Sequence, residues 1–166
     1  MGEKSKMCQL CIIESAKELR FENVASFRKK IFQSNVKDEL SRFISTLKQT
    51  GAQKNGPLIS ATFGVEQTTE HPLIDIEFLI PLDRAIQLTD DYVFKPIFHL
   101  TNAVYSRYSG DPALIQNQYN EMIKYLHIHN LQQITVAYNV NINDGNLVEH
   151  AYPVVDIYIG ANPNKL

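Results

Sequence analysis

The sequence contains itself twice, and this constrains the fold more than any local motif. Residues 19–51 and 98–130 align at a constant offset of 79. Leu19, Phe21, Asn23 and Arg28 fall on Phe98, Leu100, Asn102 and Arg107. Val36, Leu40, Phe43, Ile44 and Leu47 fall on Ile115, Tyr119, Met122, Ile123 and Leu126, and Gly51 falls on Asn130. The repeat resumes at an offset of 81, where residues 72–78 match 153–159. Two copies are too few for a solenoid, which needs about three stacked units. The pattern predicts one pseudo-symmetric domain with a groove or interface between its halves.

Each copy reads strand, helix, strand, strand. Residues 19–30 and 98–109 are rich in strand formers. The apolar residues of 35–50 and 112–129 recur at helical spacing and form one stripe on each helix. Asp111 suits an N-cap, with Pro112 at the first helical position. Gly51 and Asn130 are residue types that readily take the left-handed conformation ending a helix. Strands follow at 57–65 and 132–142, turns at Thr68–His71 and Asn143–Gly145, and return strands at 72–81 and 153–160. A charged linker of about 82–96, punctuated by Pro96, joins the halves.

This order predicts an α+β fold of duplicated β-α-β-β halves related by a pseudo-twofold axis. Helices are expected on one side and a concave sheet cleft on the other. Residues 1–18 form an N-terminal extension, and 19–166 a single domain with halves at about 19–81 and 97–160. The expected core packs Leu40, Phe43, Ile44, Leu47, Met122, Ile123 and Leu126 against Ile74, Ile76, Phe78, Ile157 and Ile159.

Bulk properties narrow the function classes. The chain has 166 residues, 44% apolar and 20% charged, with net charge −2. That argues against disorder and against a duplex nucleic-acid binder. Lys29 and Lys30 beside Arg28 read as a solvated edge. No apolar stretch suits a signal peptide or a membrane-spanning helix, so a cytoplasmic protein is expected. Cys8 and Cys11 lack two further ligands at zinc spacing and read as ordinary thiols. No cofactor and no metal are expected. His127 and His129 point to different sides of their helix, and Glu70-His71 and Glu149-His150 read as turn residues. No nucleophile elbow or phosphate loop is present.

Three segments carry a family resemblance: NAVYSRYSGD at 102–111, YNEMIKYL at 119–126 and VDIYI at 155–159. With LIDIEFLIP at 73–81, they resemble the GyrI-like domain, the effector-binding module of bacterial multidrug-responsive regulators. The resemblance covers roughly 19–160. It implies a ligand cleft on the concave sheet surface, an acidic residue there for cations, and, in some members, a Glu and a Tyr for hydrolysis. Two departures stand out: the chain has no Trp, and no helix-turn-helix segment precedes residue 19. It therefore resembles the stand-alone members.

Strand alternation locates the candidate site. Ile74, Ile76, Phe78 and Ile80 share one face, expected against the helices; Leu73, Asp75, Glu77 and Leu79 share the other. Val155, Ile157 and Ile159 likewise oppose Val154, Asp156 and Tyr158. Glu77 and Tyr158 are repeat mates and lead the candidate list. A carboxylate among aromatic rings binds a lipophilic cation. Raised in pKa by apolar neighbours, the same carboxylate acts as a general base. Asp75 and Asp156 also recur, which suggests a structural role. Tyr105 and Tyr108 lie on opposite strand faces, so one is expected in the cleft. Tyr92 and Phe94 are expected to line or cover it, whereas Tyr138, on one face with Ile134, Val136 and Val140, and Tyr119, in the helical stripe, read as core.

The leading expectation is small-molecule binding in the cleft, of an effector or lipophilic, cationic compound. The alternatives are a small hydrolase with Glu77 as base and a Tyr as polariser, and a protein-binding inhibitor that docks through a strand edge or the sheet surface. A homodimer is compatible with all three.

Overall fold

A computed structural model describes residues 12–89, 91–143 and 152–166. Strand β1 (Ile13–Phe32) leads through a short 3₁₀ turn to α1 (Val36–Gln49), then β2 (Ile59–Glu66) and β3 (Leu73–Pro81). Strand β4 (Tyr92–Ser109) leads through a second 3₁₀ turn to α2 (Ile115–Ile128), then β5 (Gln133–Asn141) and β6 (Val154–Ala161). Both ends of α2 stand 79 positions after those of α1. The punctuation behaves as its residue types dictate. Gly51 and Asn130 take positive φ, at 82° and 53°, just past the two helices. The Asp111 side chain accepts from the Ala113 N–H at 2.9 Å, ahead of the second helical segment.

The expected open, concave sheet is corrected. Six antiparallel strands close into a barrel-like arrangement in the order β1-β3-β2-β5-β6-β4, with β4 returning to β1. The long strands cause the closure. The first part of β1 pairs with β4 and its last part with β3; β4 likewise serves β1 and then β6. Each long strand thus reaches two neighbours along largely different parts of its length. Three residue pairs, Ile59–Val140, Ser60–Asn139 and Ala61–Tyr138, close the remaining seam between β2 and β5.

The expected strands are all present, with shifted ends. β1 starts at Ile13 rather than 19, and β4 at Tyr92 rather than 98, so the second part of the expected linker is strand. Pro96, without an N–H, does not stop β4. The ladder runs from Glu22–Ile97 to Val24–Lys95 and skips the position of Asn23, whose φ is 53°.

Three apolar clusters divide the interior. The first packs Phe43 and Leu47 of α1 on Ala25, Phe27, Ile76, Phe78 and Ile80. The second packs Met122 and Leu126 of α2 on Val104, Val155, Ile157 and Ile159. The third contains no helix residue: Leu19, Val24, Ile59, Leu79, Phe98 and Val140 fill the barrel itself. The face assignments of β3 and β6 hold, since their alternate residues divide between the helix clusters and the barrel cluster. Leu40, Ile74 and Ile123 join the helix clusters only partly buried, and Ile44 is 36% exposed, at the edge of the α1 stripe.

Tyr138 was expected in the core, on one face with Ile134, Val136 and Val140. It packs inside the barrel beside Phe98 and Val140, but Ile134 is exposed. A register shift between Gln133 and Ala137 breaks the alternation on which the expectation rested.

Candidate functional site

Residues directly opposite one another in neighbouring strands project from the same face. Following the registers around the barrel gives one unbroken row: Arg28 (β1), Glu77 (β3), Ala61 (β2), Tyr138 (β5), Tyr158 (β6) and Tyr105 (β4). Two positions along, a second row runs Leu79, Ile59, Val140, Asp156 and Arg107. The first row therefore sets three phenol rings and one carboxylate beside a second row that is aliphatic at Leu79, Ile59 and Val140 and charged at Asp156 and Arg107. Ala61, the smallest side chain in the first row, separates Glu77 from Tyr138.

The aromatic contacts are close. The rings of Tyr105 and Tyr158 are 5.0 Å apart, and those of Phe98 and Tyr138 meet edge-on at 5.1 Å. The Tyr105 hydroxyl donates to Asp156 Oδ1 at 3.0 Å. Burial, and then that hydrogen bond, push Tyr105 up to about 12. Burial also raises Tyr158 and Tyr138, the first helped by the charge of Asp156 and the second by that of Glu77. All three phenols are neutral at pH 7.

Every acid on this face has a base. Arg28 grips Asp75 with two hydrogen bonds, Nε to Oδ1 at 3.0 Å and Nη2 to Oδ2 at 2.9 Å. Arg107 grips Asp156 in the same way, at 2.7 and 3.0 Å. These pairs give the recurring aspartates their structural role. The Arg28 guanidinium also lies 3.6 Å from the centre of the Phe63 ring, and it holds the Asp75 carboxyl below the usual carboxylate range. Glu77 is buried, and Lys95 Nζ donates to its Oε1 at 2.6 Å.

The candidates distribute unevenly. Glu77, Tyr105 and Tyr158 share the barrel face. Tyr108 packs under α2, and its hydroxyl donates to the Asp111 carbonyl. Tyr92 packs on Phe27 and Phe43 under α1, and Phe94 stands partly buried opposite Ala25. Glu77 is coupled to Lys95 and Tyr138, whereas Tyr158 is coupled to Asp156. The repeat therefore supplied equivalent positions, not adjacent partners. Tyr138, Arg28 and Lys95 were missed as site residues. Only the strand registers reveal them, although Arg28 carried a signal as the repeat mate of Arg107.

A cavity of about 200 Å³ opens at the rim, lined by Lys30, Gly64, Val65, Glu66, Leu73 and Asp75. Among the described residues no cluster of His, Cys, Asp and Glu is arranged to hold a metal ion, and none of their helices is long and apolar enough to cross a membrane. Cys8, Cys11, Asp144-Gly145 and Glu149-His150 lie outside those residues.

No protein-family model matches the sequence, and no curated protein matches it. Solved structures do. The chain is similar to EcmrR in its DNA complex, with a TM-score of 0.76, 15% identity and coverage of 96% of this chain. It spans only 60% of that EcmrR chain. Against the EcmrR C-terminal domain alone the TM-score is 0.72 at 14% identity, covering 93% of this chain and 99% of that domain. A hydrolase from Listeria innocua matches with a TM-score of 0.59 at 9% identity, covering 92% and 91% of the two chains. These likenesses establish a shared fold.

Proposed function

We propose that the chain is a GyrI-like effector-binding domain whose barrel face takes a small, largely aromatic molecule. One observation carries the reading: the row from Glu77 through Ala61 to Tyr138, Tyr158 and Tyr105. Tyrosine rings supply flat apolar area with little entropy to lose. The small Ala61 gives a ligand its place beside a buried acid. A cation over such rings gains about 0.5–2 kcal/mol per contact, on top of apolar burial. The fold shared with the EcmrR C-terminal domain supports the reading.

We also read the halves as related by a pseudo-twofold axis. The equal spacing of the two helices and the matched pairs Arg28–Asp75 and Arg107–Asp156 support it. Closure gives each of the six strands two neighbours, although β2 and β5 share only three residue pairs.

The test is a calorimetric titration with aromatic compounds of both charge states. Tyr138→Ala and Tyr158→Ala should each weaken binding by about tenfold, a loss near 1.4 kcal/mol. Wild-type protein that binds none of them, or variants that bind as wild type does, would refute the reading.

A further inference from the structure

The three acid–base pairs on the barrel face differ in kind. Arg28–Asp75 and Arg107–Asp156 are forks held by two hydrogen bonds each. Lys95–Glu77 is a single contact from a point charge on a flexible stem. Its partners are also unequally sheltered. The Lys95 side chain is 34% exposed and that of Glu77 only 9%. The ammonium has a short route to water; the carboxylate is largely shielded from it.

We infer that Lys95 is a displaceable, built-in cation that fills the Glu77 subsite and sets which ligands enter it. The inference rests on the reading of this face as a ligand site. A buried carboxylate needs a positive partner. Arg28, across the ladder from Glu77, is held by Asp75, so the contacting charge comes from Lys95 or from a bound cation. Both cannot supply it, because two like charges a few ångströms apart repel strongly in a poorly solvated site. Entry of a cation at Glu77 therefore requires Lys95 to swing outward.

This arrangement filters ligands. A small hydrated cation gains too little to evict a tethered ammonium. A cation that also covers Tyr138 and Tyr158 gains the apolar area to do so. A neutral aromatic molecule stacks on the tyrosines and leaves Lys95 in place. Lys95 is thus a specificity-determining residue that raises the apolar area demanded of a cation.

The experiment compares ethidium, a planar aromatic cation, with phenanthridine, its neutral parent ring system, by calorimetry on wild type, Lys95→Met and Lys95→Arg. Ethidium should bind Lys95→Met about tenfold or more tightly than wild type, with phenanthridine unchanged. Lys95→Arg, which keeps the charge, should retain the weaker ethidium binding. A second readout uses wild type alone, so a Lys95→Met chain that fails to fold leaves the inference testable. Saturation with ethidium should raise acylation of the Lys95 amine, read by peptide mass spectrometry, and phenanthridine should not. Equal ethidium affinity in wild type and Lys95→Met, or Lys95 acylation unmoved by bound ethidium, overturns the inference while leaving the ligand site intact. Failure of both compounds to bind any of the three proteins overturns the ligand-site reading and the inference with it.

Discussion

Arg28 and Asp75 stand directly across no shared pair of the ladder, yet they are joined by two parallel hydrogen bonds, 3.0 and 2.9 Å long. Arg28 reaches diagonally past Glu77, its own ladder partner. The diagonal leaves Glu77 to Lys95 and fixes one rim of the aromatic row.

That pair has a pH signature. Arg28 holds the Asp75 carboxyl below its ordinary value, so the folded state prefers the ionised form. The contribution is present above the unfolded value of about 3.9 and is lost as pH falls through the lower folded value. Asp75→Asn should therefore melt below wild type at pH 6, and the gap should close towards pH 2. A gap that persists at low pH would show that the substitution damages packing instead.

Tyr105 makes the opposite prediction at high pH. Its folded value, about 12, exceeds the unfolded value of about 10. Its stabilising term is intact below about pH 10 and is lost as pH rises towards 12. Absorbance titration at 295 nm should show a phenol step near pH 12 that disappears in Tyr105→Phe. A step that survives the substitution belongs to another tyrosine.

The helix clusters predict graded costs. Phe43 and Met122 are fully buried, and their truncation to Ala should cost on the order of 3–5 and 2–5 kcal/mol. Ile44→Ala, at a position 36% exposed, should cost below about 1 kcal/mol. Chemical denaturation orders the three, and an Ile44 effect equal to that of Phe43 would contradict the packing.

Gly51 has φ 82°, where a side chain is strained. Gly51→Ala should lose roughly 1–2 kcal/mol, although nothing lies within 4 Å of the added Cβ. Unchanged stability would mean that the helix end relaxes out of the left-handed conformation.

Local chemistry was legible in the sequence; long-range pairing was not. The helical stripes, the stops at Gly51 and Asn130, and the two faces of β3 all follow from period and residue type. Closure depends on β1 and β4 each pairing with two neighbours, and no local pattern states which strands pair. Pro96 reads as punctuation in sequence, but the ladder skips its position, so Lys95 fell in an expected linker although it reaches the carboxylate of Glu77. Ile134 leaves the face expected to hold it with Tyr138, because a bulge in the β5–β6 ladder undoes simple alternation. A candidate face can thus be read from one strand, whereas its full membership needs the registers of all six.

The central claim is that Glu77 supplies the charge of a ligand site whose apolar part is the tyrosine row. The direct measurement is calorimetry of Glu77→Gln against wild type with ethidium and phenanthridine. Gln keeps the shape, removes the negative charge and leaves Lys95 without its acid. Ethidium affinity should fall by about tenfold or more, near 1.4 kcal/mol, while phenanthridine binding stays unchanged. Equal losses for both compounds, or ethidium bound as tightly as by wild type, would contradict the claim.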